Sequence, residues 1–221
     1  MLQIAHIETA FKSKFGVPRQ AGLVSIEARI VFEPEYRVPE AFRGLEEFDY
    51  IWLIWGFHLN HESSGSWSPT VRPPRLGGNK RVGVFATRSP FRPNPVGLSS
   101  VRLLGIHLEP SLGPVLLVEG ADLADGTPIF DIKPYIAYAD SHPDARCGFA
   151  QSAPLPTLEV YDPLCLLATF TPAQRQAIVD TLAHDPRPHY HSDHARIYAM
   201  PFADSEIKFR VEHGKCIIVS V

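Results

Sequence analysis

Arginine, proline and aromatic residues alternate between Thr70 and Leu98 (TVRPPRLGGNKRVGVFATRSPFRPNPVGL), and no carboxylate lies among them. Proline stiffens the backbone and holds neighbouring side chains extended, while each guanidinium presents a planar fork suited to phosphate. Phe85 and Phe91 add flat faces on which an unpaired base can stack, and Gly77-Gly78-Asn79 allows a tight turn with exposed N–H groups. A solvated basic loop around a β core has a similar composition. Two details favour binding: the acidic residues that would balance such a surface are missing, and the prolines reduce the entropy lost on ordering it.

Other segments carry polar groups without an evident structural need. Gly16-Val17-Pro18-Arg19-Gln20 offers Arg and Gln to the carboxylate or amide of a small ligand. Asp122 to Pro128 (DLADGTP) is turn-like because Asp-Gly favours positive φ; Asp125 and Thr127 can accept hydrogen bonds there, although an ordinary hairpin turn has the same pattern. His58 ends the aromatic run Asp49 to His58 (DYIWLIWGFH), either as a structural histidine at a strand end or as a group facing a cleft, and His61 follows it. His184, His189, His191 and His194 fall within HDPRPHYHSDH together with Asp185 and Asp193. No pair among them has the i, i+4 helical spacing and no cysteine is near, so a polar loop is expected there and no metal. Dinucleotide, Walker and G-x-S-x-G signatures are absent; Gly77-Gly78 with Gly83 does not lead from a strand into a helix, which disfavours a Rossmann enzyme.

The chain has 221 residues, 45% hydrophobic and 20% charged, enough for one sizeable core and an annex, and its composition excludes disorder, collagen and coiled coil. No apolar run approaches the ~20 residues of a membrane helix, and Met1 to Phe11 does not resemble a signal peptide. Three cysteines without paired spacing point to a reducing, cytoplasmic setting. The net charge of −3 is unevenly spread. Ser63 to Leu108 holds seven basic side chains (Arg72, Arg75, Lys80, Arg81, Arg88, Arg92 and Arg102) and none of the 24 acidic ones, a polarity that attracts a polyanion if it forms one face.

These groups must be positioned mostly by β-strands. Val24, Ile26, Ala28, Ile30 and Phe32 alternate with polar residues, the period of a half-buried strand over Leu23 to Phe32. Pro39 to Arg43 reads as a short helix stopped by Gly44, and Asp49 to His58 as a buried central strand. Val82 to Thr87, Val96 to His107 (bending at Gly105) and Val115 to Glu119 are further expected strands. Gly/Pro-rich loops join them in place of amphipathic helices, which argues for a mainly β fold with a closed antiparallel barrel. Composition changes near Ala153, dividing 1–152 from a small α+β unit at 153–221. In the latter, Thr171-Pro172-Ala173-Gln174 predicts a capped helix ending near His184, followed by strands over Ala195–Phe202, Glu206–Glu212 and Lys215–Val221 with a turn at His213-Gly214.

Four blocks resemble the TsaA/YaeB family, also called TrmO: PRQ at Pro18–Gln20, RGLEEFDYIWLIWGFH at Arg43–His58, TVRPPRLGGNKRVGVFATRSPFRPNPVGLS at Thr70–Ser99, and DLADGTPIFDIKPY at Asp122–Tyr135. DPRPHY at Asp185–Tyr190 resembles the C-terminal domain of its bacterial members. The resemblance implies a homodimeric, non-Rossmann methyltransferase that uses S-adenosylmethionine (SAM) to N6-methylate threonylcarbamoyladenosine beside the tRNA anticodon. It implies a SAM site of Pro18, Arg19, Gln20, His58, Leu59, Arg88, Leu98 and the turn Asp125, Gly126, Thr127, Pro128. Leu59 stands where members often have Gln, so a contact there would come from its backbone. By residue type His58 is the expected proton acceptor and Asp125 the second choice. Arg88 or Arg92 would clamp the threonine carboxylate, and Arg72, Arg75, Lys80 and Arg81, with Asn94, would meet the anticodon stem-loop. The competing expectation is a non-catalytic barrel that binds RNA or senses SAM.

Overall fold

The computed structural model describes residues 1–59, 67–152, 154–188, 193 and 195–221. The chain is mainly β: β1 (Ala5–Glu8), β2 (Glu27–Phe32), β3 (Tyr50–Gly56), β4 (Thr70–Val71), β5 (Val82–Gly83), β6 (Val96–Glu109), β7 (Gly113–Glu119) and β8 (Pro128–Pro134) precede a short helix α1 (Ala137–Asp140). Then come β9 (Glu159–Tyr161), α2 (Pro172–Ala183), β10 (Tyr198–Phe202), β11 (Ser205–Glu212) and β12 (Lys215–Ser220).

The larger sheet is antiparallel throughout and is ordered β1-β2-β7-β6-β3-β8, with β8 returning to β1 through Ala5↔Ile129 and His6↔Pro128. Its inward face follows the period of two: Ile51, Leu53 and Trp55 of β3 are buried, as are Val101 and Leu103 of β6. They join Ile7, Ile30, Phe32, Leu116 and Val118 in one core. The bend expected at Gly105 is present as a register shift between Leu103 and Gly105 on β7, which lets one 14-residue strand pair with β3 at its start and β7 at its end.

Val82 to Thr87 is not one strand. Only Val82–Gly83 pairs, with β4, and Val84–Ala86 is a 3₁₀ turn whose Val84 N–H donates to Pro69 O (3.0 Å). Local bonds replace a partner strand there. The Pro39 helix is likewise a 3₁₀ turn, Pro39–Phe42.

The second sheet is ordered β10-β11-β12-β9, with β9 parallel to β12. The Thr171 side chain accepts from Gln174 N and the Gln174 side chain accepts from Thr171 N, so α2 starts at the expected capping box. His213 and Gly214 both have positive φ, as a tight hairpin between β11 and β12 requires. The core beneath α2 is not made by this segment alone: Phe11, Val24 and Ile26 pack with Ile178, Leu182, Phe202 and Phe209. Ala203 N donates to Ala10 O (2.7 Å), and the Phe11 and Phe202 rings meet edge to face at 5.6 Å.

Candidate functional site

A cavity of about 580 Å3 opens between the loop after β1, the end of β3, the start of β6 and the turn before β8, a volume typical of small-molecule sites. It gathers residues that are far apart in the chain. Pro18, Arg19 and Gln20 come from the first loop, His58 and Leu59 from the end of β3, Arg88, Arg92 and Asn94 from the arginine–proline segment, and Leu98 from β6. Thr127 from the turn before β8 completes this set of sequence-expected residues.

Several polar groups on the wall are held by defined partners. Thr127 is buried and its hydroxyl donates to Ala124 O (2.7 Å). That proton being used, Thr127 Oγ1 is the acceptor toward His58 Nδ1, 3.3 Å away. The neutral tautomer that fits this bond has its proton on Nδ1 and its acceptor lone pair on Nε2. Gly126 has φ of 72° and its N–H donates to Ile7 O (2.8 Å), so the turn is fastened to β1. Arg88 Nη1 donates to Gln20 Oε1 (2.6 Å), and Arg19 Nη2 donates to Asp185 O (3.0 Å), which ties the cavity rim to the segment after α2. Arg92 Nη1 donates to Thr87 O (3.0 Å) and Ser89 O (3.4 Å) and stays half-buried on the wall.

Asp125, expected at the site, is bonded to the chain after β1. Its Oδ1 accepts from Thr9 N (2.8 Å) and its Oδ2 pairs with Lys12 Nζ (2.9 Å), so the carboxylate staples the turn to the chain after β1 and does not line the cavity. Gly126 also lies off the wall, and Pro128 lines a second cavity instead. That second cavity, about 680 Å3, has Gly56, Pro95 and Phe130 on its walls and shares Phe57, His58, Asn94 and Val96 with the first. His58 therefore stands on the partition between two spaces.

Sequence reading missed Asp122, Trp55 and Phe57, all of which line the first cavity. Desolvation raises the Asp122 carboxyl above the ordinary 3.8, while the Ser99 hydroxyl and the Arg88 charge oppose that rise. Asp122 was readable only as part of a turn, because nothing local marks it as cavity-facing.

The remaining expected cations lie away from both cavities. Arg72, Arg75, Lys80 and Arg81 are exposed and do not line either cavity. Arg81 Nη1 donates to Thr70 Oγ1 (2.7 Å) and Arg75 Nη2 to Ser152 O. Phe85 (73% exposed) and Phe91 (46%) stand among them, beside Trp67, whose ring lies near-parallel to Phe85 at 6.5 Å. His61, His189, His191 and His194 lie outside the described residues; among the described residues no group of three or more His, Cys, Asp or Glu is placed to hold a metal ion. No helix among them is long and apolar enough to cross a membrane.

Comparison with known proteins places these features in one family. Residues 6–141 match the tRNA-methyltransferase O N-terminal domain, and residues 165–221 match the TrmO C-terminal domain. The tRNA (adenine(37)-N6)-methyltransferase of Escherichia coli K12 is 44% identical over 218 residues, covering 95% of this chain and 92% of that protein. A Pseudomonas aeruginosa protein named a putative S-adenosylmethionine-dependent methyltransferase is 40% identical over 85% of this chain and 81% of its own length. The crystal structure of TrmO from Pseudomonas aeruginosa superposes with a TM-score of 0.76 at 30% identity, covering 99% of this chain and 96% of that one. The family blocks are the same ones that converge on the cavity, and this chain belongs to the TrmO family.

Proposed function

We infer that this chain is an S-adenosylmethionine-dependent methyltransferase acting on N6 of adenine 37 in tRNA. The observation that carries this reading is the convergence of three separated blocks, Pro18–Gln20, His58–Leu59 and Arg88, on one cavity that holds both signs of charge. The residues fit the cofactor: Trp55, Phe57 and Leu98 offer apolar faces, while Arg88 and Asp122 match a zwitterionic amino-acid end. When bound, SAM supplies a methyl group on a positively charged sulfur.

The chain's own residues then align, deprotonate and exclude. His58 Nε2 is the acceptor for the N6 proton, its ring oriented by Thr127; a base is useful because a urea-like nitrogen is a poor nucleophile. The position of His58 between two cavities supports donor binding in the first and the acceptor nucleoside in the second, with Asn94 on the shared wall. The finer substrate is adenosine bearing a threonylcarbamoyl group, whose carboxylate Arg92 would meet from the first cavity's rim. Arg72, Arg75, Lys80 and Arg81 would then contact phosphates of the anticodon stem-loop.

The ring of ladders supports a closed barrel that, as residues 1–152, carries the site, with 153–221 as a small α+β domain docked against Phe11, Val24 and Ile26. Exposed Tyr50, Leu98 and Leu104 on the outer face of β3 and β6 support a homodimer; Leu98 also lines the cavity, so a second copy would border the site. Free Cys147, Cys165 and Cys216 fit a reducing cytoplasm.

The test is incorporation of labelled methyl from SAM into tRNA with and without the threonylcarbamoyl group. Label confined to the modified tRNA is expected. Label in both would remove the finer substrate, and SAM binding without transfer to either would make the protein a SAM-sensing module.

A further inference from the structure

Trp55, Ser99 and Asp122 form a directed chain of hydrogen bonds at the cavity wall. The Trp55 indole N–H donates to Ser99 Oγ (2.9 Å), and Ser99 Oγ donates to Asp122 Oδ1 (2.5 Å). Its direction is fixed by chemistry: an indole can only donate, so Ser99 accepts from Trp55 and has its single hydroxyl proton left for Asp122. Trp55 and Ser99 are buried, and the indole lies over Gly97, where a Cβ would come within 2.2 Å of the ring. Only a residue without a side chain admits the ring there, and the ring in turn orients Ser99.

The chain ends on a carboxylate that faces the cavity and is largely out of water. Ser99 and the backbone N–H groups of Ala21 and Asp122 support its charge, yet desolvation outweighs them. Arg88 is near enough for its charge to act on Asp122, but its Nη1 is turned to Gln20 Oε1. A desolvated carboxylate held in place and facing an open cavity is a site for a cation.

We propose that Asp122, positioned by Ser99 and Trp55, is the counter-charge for the α-ammonium group of the methionyl end of SAM, with Arg88 facing the carboxylate of the same end. The assignment rests on the SAM reading above. The ammonium is favoured over the sulfonium for a kinetic reason. The sulfonium charge disappears as the methyl leaves, so a carboxylate set against it would stabilise the ground state more than the transition state and slow transfer. The ammonium keeps its charge throughout, and holding it costs the reaction nothing.

Equilibrium binding to the full chain tests this with three ligands: SAM, S-adenosylhomocysteine, and the S-adenosylhomocysteine analogue lacking its α-amino group. Wild type should bind the deaminated analogue at least about tenfold more weakly than S-adenosylhomocysteine. In Asp122→Asn the two should bind alike, and SAM and S-adenosylhomocysteine should lose the same factor relative to wild type. A loss for SAM far above that for S-adenosylhomocysteine would assign Asp122 to the sulfonium and overturn the proposal. So would a deaminated analogue that wild type binds as well as the parent, a result that needs no variant to fold. Equal loss of all three ligands in Asp122→Asn would reduce Asp122 to a structural role and overturn it too. Wild type that binds neither SAM nor S-adenosylhomocysteine would instead overturn the SAM reading itself.

Discussion

Around the first cavity, hydrogen bonds of 2.5–3.3 Å link Trp55 to Ser99 and Ser99 to Asp122, and separately His58 to Thr127, and hold these groups in place. From Thr70 to Lys80, by contrast, Arg72 and Lys80 project from the surface on a backbone of turns and one two-residue ladder. The two regions answer different demands. Methyl transfer needs atoms held in line, and fixed partners remove the freedom that would misalign them. A tRNA backbone presents many equivalent phosphates, and exposed cations can meet them without a single geometry. The hydrogen-bonded groups are gathered from strand ends and turns distant in the chain, whereas the exposed cations come from one continuous, acid-free stretch.

Breaking either region should leave the other intact. The largest effect is expected from His58→Ala, which should lower single-turnover methyl transfer by about 10²–10⁴-fold. Its tRNA affinity should stay within twofold of wild type. Next, Arg72→Ala combined with Lys80→Ala should weaken tRNA binding and flatten the plot of log affinity against log salt by up to about 2, at roughly 0.9 for each phosphate no longer neutralised. SAM affinity, measured in parallel, should not move; a matching fall there would erase the distinction between the two surfaces.

Asp125→Ala sharpens the comparison from within the turn that carries Thr127. It removes a carboxylate that accepts from Thr9 N and pairs with Lys12, so a stability loss of about 1–2 kcal/mol in denaturant unfolding is expected. The rate at saturating SAM should fall far less than in His58→Ala. A loss of rate as deep as that of His58→Ala, without loss of stability, would return Asp125 to the chemistry.

The smallest effect concerns pH. Asp122 has a native pKa raised above 3.8 by desolvation, so between those two values the folded chain holds a proton that the unfolded chain has released. Its contribution to stability therefore falls as pH rises through that window. Comparing Tm of wild type and Asp122→Asn from about pH 4 to 7, the difference should move in the variant's favour as pH increases. Movement the other way would mean that the carboxylate is stabilised in the folded state.

Much of this was legible in local pattern. The capping box at Thr171 and Gln174, the alternation of β11, the turn at His213-Gly214 and the bend at Gly105 each arise from residues within a few positions of one another. The acid-free segment and the family blocks were equally plain, since charge and identity need no partner to be read. Four features depended on packing across the chain. Strands β8 and β9 exist because β1, β3 and β12 offer them edges, and Asp125 is a staple because Thr9 and Lys12 reach it. The core under α2 needs Phe11, Val24 and Ile26 from the other end of the chain. Asp122 becomes a cavity group only because the β3–β6 ladder sets Trp55 opposite Gly97 and thereby puts its indole on Ser99. Propensity and charge are properties of short stretches, whereas strand order and register bring together residues more than forty positions apart, and only the assembled sheet determines which of them meet.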